Sequence, residues 1–372
     1  MTKAAELAKM GEVLTNSQIG GRRNIVINGA MQVAQRSASV TGISGDGYQT
    51  VDRFNLSMGN TAGRLTMAQV TDAHDGFANA MKLTCTTADT SIASNERLII
   101  KTSFEGQDLQ QIKKGTSDAE KLTLSFYVKG NASATYTCEI ADEDNTRYVA
   151  QEFPVTTDWV RIVKTFVADT TGAFDDDNAK SMSVNFWLHA GSDFTGGTFS
   201  SNTVHTTGNQ RVGDNQTSFF DSTDRTFFIT GVQLEVGSQA TPFEHRSFGE
   251  ELALCQRYYT REGAGTGGVY KRLADGMCGS ATFADFMINL STPLRATPTL
   301  ETSGNVNHYL MYSAGGTDVV TALALTTDSD AGTYNHSVSL NGTVGSGLAN
   351  GDSVQLITNN NASYYLALDA EL

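Results

Sequence analysis

Tyrosines and histidines near the end of the sequence are the residues best suited to bind a ligand. They lie in two short segments, Asn307–Tyr312 and Tyr334–His336, where aromatic rings alternate with amide and imidazole groups. A sugar ring has an apolar C–H face that stacks on an aromatic ring, while its hydroxyls hydrogen-bond to polar side chains. Aromatic residues are also common in strands, so the same tyrosines fit an ordinary sheet edge. On this chemistry five residues are candidates for glycan binding: His308, Tyr309, Tyr312, Tyr334 and His336.

Acidic and histidine clusters give no comparable signal for a metal or a catalytic group. Asp175–Asp177 has the carboxylates that calcium prefers but lacks the spacing and closing glutamate of a calcium loop, which favours a solvated turn. The six histidines show no HExxH or HxH spacing, and there is no GxSxG motif. The glycine-rich Gly263–Gly268 lacks the lysine and the helix of a phosphate loop. The sequence predicts no catalytic residue, no metal site and no cofactor, although a triad assembled in space stays open.

The composition describes a folded chain that is poor in charge. Its 372 residues include 26 Lys+Arg and 40 Asp+Glu, a formal net charge of −14 at pH 7, with 36 glycines and 4 prolines. Binding nucleic acid through phosphates needs clustered basic residues, so that function is not expected. No apolar run reaches the ~18 residues of a membrane span, and the charged N-terminus lacks the apolar core of a secretory signal. Membrane insertion is therefore not expected, and the four dispersed cysteines predict buried free thiols.

The first sixty residues carry helix and turn signals. Leu7, Met10 and Leu14 have the spacing of a short helix, which the Gly20-Gly21 pair ends. Residues 24–33 form an apolar run, an Asn28-Gly29 turn and a second run, a pattern that predicts a hairpin.

Strand-like alternation dominates the rest of the chain. Apolar residues occupy every second position in 122–128 and 182–188, which predicts strands with one buried and one solvated face. Many short strands separated by turn signals predict a jelly-roll β-sandwich over residues 61–245. A short helix-capable connector over 246–262 and a smaller C-terminal β-sandwich over 263–372 complete an all-β fold.

Two segments resemble bacteriophage tail-fibre and related virion appendage proteins. The longer one, Gly231–Tyr259, reads GVQLEVGSQATPFEHRSFGEELALCQRYY, and the upstream one reads RNIVINGAMQVAQR from Arg23 to Arg36. Tyr48, the VDRF run at 51–54 and the ending LALDAEL also fit this resemblance.

The resemblance implies a virion protein, commonly a homotrimer, with a jelly roll similar to carbohydrate-binding modules and a distal domain that recognises the host. Residues 1–60 would then attach the chain to other tail or adaptor proteins of the virion, and residues 263–372 would bind a host surface glycan. The chain would be made in the host cytoplasm and act on the particle as an adhesin. Two alternatives stay open: a polysaccharide depolymerase, and a capsid fibre or tail connector with no ligand.

Overall fold

The computed structural model describes Lys3 and residues 23–263, 270–326, 336–360 and 364–372. The helix predicted over residues 1–20 falls almost wholly outside the described residues. The chain divides into two compact units, Met1–Glu251 together with Leu372, and Leu252–Glu371. Within the described residues, no helix has the length and apolar character needed to cross a bilayer.

The first unit contains two six-stranded antiparallel sheets. The strands of the first sheet are β1 (Ser39–Ile43), β4 (Arg64–Val70), β5 (Ala80–Thr87), β7 (Leu122–Gly130), β10 (Val160–Phe166) and β12 (Thr226–Val236). Those of the second are β2 (Gly47–Tyr48), β3 (Asn55–Gly59), β6 (Arg97–Glu105), β8 (Ala134–Asp142), β9 (Arg147–Val155) and β11 (Lys180–Ala190). Their spatial orders are β1-β4-β5-β12-β7-β10 and β2-β3-β6-β11-β8-β9. Strands β1 to β3 thus come from the region that the sequence assigned to virion attachment.

One hydrophobic core lies between the two sheets, as the alternation predicted. Leu124, Phe126 and Val128 of β7 are fully buried, and so are Val184 and Phe186 of β11. Each apolar residue of such a strand removes its side chain from water against the facing sheet, which is worth about 1.5–3 kcal/mol. The all-β class and the sandwich are therefore confirmed.

A bulge in β12 lets that strand bury both halves of its apolar sequence. The residues that point into the core are odd-numbered in the first half, Phe227 and Ile229, and even-numbered in the second half, Val232 and Leu234. Gly231 lies between them at φ 62°, where the register with β7 shifts. Glycine adopts this left-handed conformation without steric cost, so it supplies the extra residue of the bulge.

The Asn28-Gly29 turn forms, but the two strands of the predicted hairpin do not. Asn28 has φ 60° and is fully buried. Its Nδ2 donates to the carbonyls of Val33 and Asp52 at 2.8 and 2.9 Å, and its Oδ1 accepts from the Val33 N–H at 3.0 Å. The Asn28 side chain thus satisfies backbone groups that would otherwise pair between the two strands of a hairpin. A Cβ on Gly29 would lie 2.0 Å from the Val232 carbonyl, so the turn packs directly on β12.

The two segments that resemble tail-fibre proteins contact each other, although they lie 208–221 residues apart along the chain. Asn24 Oδ1 accepts from the Leu234 N–H at 3.0 Å, and Asn24 Nδ2 donates to the Val232 carbonyl at 3.1 Å. The Glu244 carboxylate accepts from the backbone N–H groups of Arg23 and Asn24 at 3.2 and 2.8 Å. The polar residues of these segments therefore serve to join the N-terminal segment to the exit of β12.

Between residues 23 and 263 two short α-helices accompany the sheets, α1 (Ser192–Thr195) and α2 (Phe248–Gln256). The second falls in the predicted connector and begins with a capping box. The Ser247 N–H donates to Glu250 Oε2 at 2.9 Å, and the Glu250 N–H donates back to Ser247 Oγ at 3.3 Å. This reciprocal pair satisfies donors that the first helical turn leaves without partners.

The second unit is built on a closed six-stranded barrel, where a smaller β-sandwich was predicted. Its strands are β14 (Arg272–Cys278), β15 (Phe283–Asn289), β17 (Tyr309–Ser313), β18 (Gly316–Leu325), β19 (Ser337–Val344) and β20 (Ser353–Thr358), in the order β14-β15-β19-β18-β17-β20. β14 pairs with both β15 and β20, which closes the sheet. Alternation is the same in a barrel and a sandwich, so the sequence did not separate them. A three-stranded sheet completes the unit: β13 (Tyr259–Gly263), β16 (Thr299–Thr302) and β21 (Tyr365–Asp369).

Candidate glycan-binding surfaces

The structure separates the predicted glycan-binding residues instead of clustering them. Tyr309 is fully buried in the barrel core, and its hydroxyl donates to the Tyr365 carbonyl. It cannot stack on a ligand that arrives from solvent, so Tyr309 leaves the candidate set. The physical reason is the strand period: Tyr309 and Tyr312 are three residues apart in β17 and therefore point to opposite sides of the sheet.

The two histidines of the predicted set lie away from Tyr312. His308 is half-buried, with its Nδ1 2.8 Å from Ser303 Oγ. His336 is exposed and directly precedes β19. Strand β18 lies between β17, which contains Tyr312, and β19, which follows His336, and it runs antiparallel to both. Tyr312 pairs near the start of β18, whereas His336 lies near its end. Tyr334 lies outside the described residues.

Tyr312 itself lines an open groove on the outside of the barrel. The groove has a volume of ≈ 430 Å³, and its lining also includes Asp275, Ser353 and Gln355. Tyr312 is 50% exposed, which is unusual for so large a ring and leaves it available for stacking. Tyr312 of β17 pairs with Gln355 of β20, and Gln355 in turn pairs with Asp275 of β14. Ring, amide and carboxylate thus form one row across three hydrogen-bonded strands.

The polar atoms of this row are arranged to meet hydroxyl groups. Gln355 Nε2 donates to Asp275 Oδ1 at 2.8 Å, which fixes the orientation of both side chains. Gln355 Oε1 and Asp275 Oδ2 then remain as acceptors, with no hydrogen-bond donor among the described residues. Sugar hydroxyls are donors, so an aromatic ring beside two free acceptors is a suitable subsite for a pyranose.

A second aromatic surface, which the sequence did not predict, lies on the outward face of the first sheet. Tyr127 and His74 stack with ring centroids 4.1 Å apart, and Phe77 lies 5.5 Å from Tyr127. Trp159 lies 6.3 Å from His74 and 6.2 Å from Phe228. We call this surface the ring platform; it consists of His74, Phe77, Tyr127, Trp159, Phe228, Phe243 and His245.

Basic side chains are interleaved with the rings of the platform. Across β5, β12 and β7 the register aligns Lys82, Phe228 and Lys129, and the two ammonium groups lie 5.2 and 4.8 Å from the Phe228 centroid. The Arg161 guanidinium lies 6.0 Å from the Tyr127 centroid. These distances fall within the range of cation–π attraction.

The outward face of the second sheet holds a buried ion pair that is already satisfied. Arg211 donates two hydrogen bonds to Glu139, at 2.8 and 2.7 Å, and its guanidinium lies 3.9 Å from the Tyr148 centroid. Burial opposes the charge on Arg211, but the Glu139 carboxylate outweighs it and raises the pKa of the guanidinium. Asn185 and Trp187 also donate to Glu139. This network stabilises the second sheet and leaves little for a ligand.

Serine, histidine and glutamate do meet in the structure, at a site that is closed to substrate. His189 Nδ1 lies 2.8 Å from Ser218 Oγ, and His189 Nε2 lies 2.9 Å from Glu96 Oε2. His189 is fully buried, and Glu96 is also held by the Ala93 N–H at 2.9 Å. The trio therefore ties the loop before β6 to β11. Asp175–Asp177 is exposed, and the described residues contain no group of three or more His, Cys, Asp or Glu that could hold a metal.

The ring platform could have been found in part from the sequence. Tyr127 and Lys129 occupy the outward positions of the β7 alternation, where an aromatic residue beside a lysine is a signal for a surface site. Trp159 is half-buried, whereas Trp187, the other tryptophan of the chain, is fully buried. Phe228 lies in β12 and the other rings lie outside the strands, and only the tertiary fold brings them together.

Comparisons with known proteins give remote structural likenesses. No family model matches the sequence, and no curated protein does. A family 4 carbohydrate-binding module is similar over 56% of this chain and 97% of its own length, with 13% identity and a TM-score of 0.29. A family 11 carbohydrate-binding module of a Clostridium thermocellum cellulosomal cellulase covers 55% of this chain and 99% of its own length, with 12% identity and a TM-score of 0.27. The enzymatically active domain of tailspike protein 4 from bacteriophage CBA120 covers 57% of this chain and 21% of its own, with 11% identity and a TM-score of 0.31. No functional residue is transferred from these proteins.

Proposed function

We propose that this chain is a structural virion protein of a bacteriophage, a tail-fibre-type adhesin that binds a glycan on the host surface. The observation that carries the binding function is the groove in which exposed Tyr312 lies in register with Gln355 and Asp275. The virion role is supported by the resemblance of residues 23–36 and 231–259 to tail-fibre proteins.

The groove binds by stacking and hydrogen bonding rather than by charge. A pyranose ring lies on Tyr312 with its C–H face, and its hydroxyls donate to Gln355 Oε1 and Asp275 Oδ2. A single shallow subsite of this kind binds weakly, since ordering the ligand offsets much of the contact energy. In a homotrimer three such subsites act together, and effective concentration raises the overall affinity by about 10²–10⁴.

The test is binding of the labelled full chain to a panel of bacterial strains. We expect Tyr312→Ala to lower cell binding at least tenfold on a strain that the wild-type chain binds and whose surface polysaccharide is neutral. Tyr270→Ala is the matched control, because Tyr270 is 60% exposed and does not line the groove. Equal binding by wild type and Tyr312→Ala would refute the groove as the receptor site. Release of reducing sugar from the bound polysaccharide would instead assign the chain to the depolymerases.

A further inference from the structure

The ring platform combines aromatic surface with positive charge that the protein itself does not neutralise. Lys129 pairs with Asp72 at 2.7 Å, but Lys82 and Arg161 have no carboxylate partner among the described residues. The Arg161 guanidinium donates instead to the Thr241 carbonyl at 2.6 Å. Lys82 and Arg161 thus place two basic groups without a carboxylate partner beside the rings of the platform, in a chain with a net charge of −14.

The rings nearest to solvent can still stack on a ligand. The Phe77 ring lies 5.0 Å from the Phe243 ring, and Phe77 and Tyr127 together occupy the space that the missing Cβ of Gly231 leaves open. They therefore form the base of the platform. Trp159 and His74 are half-buried at its surface, with their rings approximately perpendicular.

We propose that the ring platform is a second carbohydrate site, and that it takes an acidic polysaccharide. Trp159 and His74 contact the C–H faces of successive sugar rings, and a sugar carboxylate reaches Lys82 or Arg161. A carboxylate is the group that these two cations lack, and charge-assisted hydrogen bonds to it are about twice as strong as neutral ones. Neutral sugars gain only the stacking part of this interaction.

This site is independent of the Tyr312 groove, since it belongs to the other compact unit of the chain. Its ligand class also differs, because the groove offers acceptors and a carboxylate whereas the platform offers cations. One chain would thus bind two different sugar environments, which makes the two functions separable by mutation.

The experiment measures binding of the full chain to an array of uronate- or sialate-containing oligosaccharides and of neutral ones. Lys82→Glu reverses one charge beside the Phe228 ring, from whose centroid the Lys82 ammonium lies 5.2 Å away. Trp159→Ala removes the stacking surface. Lys113→Glu is the matched charge control, because Lys113 is an exposed residue that pairs with Glu120 elsewhere on the same unit. Thermal unfolding of each variant checks that the sandwich is intact.

We expect the wild-type chain to bind acidic members of the array, and each platform variant to lose at least tenfold in affinity for them. Lys113→Glu and Tyr312→Ala should keep this acidic binding, and 0.5 M salt should weaken it because Arg161 is exposed and Lys82 is only half-buried. The proposal is overturned if no acidic oligosaccharide binds. It is also overturned if acidic binding persists unchanged in both folded Lys82→Glu and folded Trp159→Ala.

Discussion

Replacing Asn28 by alanine should destabilise the sandwich by about 4 kcal/mol. The variant loses three buried hydrogen bonds of 2.8–3.0 Å, each worth a net of about 1 kcal/mol. Alanine must also adopt φ 60°, a left-handed conformation that costs roughly 1–2 kcal/mol. Asn28→Gly removes this backbone cost but not the lost bonds, so it should cost about 1 kcal/mol less than Asn28→Ala.

Urea unfolding followed by tryptophan fluorescence measures this change in the sandwich alone. The sequence has two tryptophans, Trp159 and Trp187, and both belong to the first unit. Asn60→Ala is the matched control, because Asn60 has φ 62° but is exposed and makes one side-chain bond, of 3.2 Å, to the Asn95 carbonyl. We expect it to cost about 1–2 kcal/mol. If Asn28→Ala costs no more than Asn60→Ala, the buried bonds do not hold the N-terminal segment and the reasoning is wrong.

Three further predictions concern the buried groups of the sandwich. His189→Ala should cost about 3 kcal/mol in urea unfolding, because it removes a large buried side chain and the group that contacts Oε2 of the buried Glu96, and a cost below 1 kcal/mol would contradict this. Burial opposes ionisation of Asp169, but hydrogen bonds from Arg147 outweigh it and lower the pKa of Asp169 below 3.8. The ionised Asp169 therefore stabilises the fold fully above its unfolded pKa of 3.8, and this stabilisation is lost as the pH falls through its lower pKa in the folded state. Asp169→Asn should thus make the loss of stability in acid less steep. Burial raises the pKa of Cys138 to about 12, so its thiol should resist alkylation in native buffer at pH 8 and react once urea unfolds the chain.

Strand alternation was sufficient to predict the sandwich, because burial of one face imposes the same period on sequence and structure. The core residues of β7 and β11 follow from it directly. The hairpin prediction failed at Asn28 because the sequence does not show which backbone groups a buried amide will bind. The bulge at Gly231 changes which positions of β12 face the core, and a regular alternation in the sequence does not predict such a change.

The candidate sites were predictable only where a strand carries them. The period of β17 separates exposed Tyr312 from buried Tyr309, a distinction that the sequence could have supplied. Gln355 and Asp275 join Tyr312 only because β20 and β14 pair beside it, which is a property of barrel closure. The β7 alternation places Tyr127 and Lys129 on the outward face, but the ring platform needs side chains from two strands and three other segments, so no local pattern in the sequence reveals all of it.

The most direct test of the account is binding of the full chain to purified bacterial surface polysaccharides. We expect saturable binding to at least one polysaccharide, reduced at least tenfold by Tyr312→Ala and unaffected by Tyr270→Ala. Absence of binding to every polysaccharide of a strain that the chain recognises, or equal loss in both tyrosine variants, would contradict the assignment of the barrel groove as the receptor site.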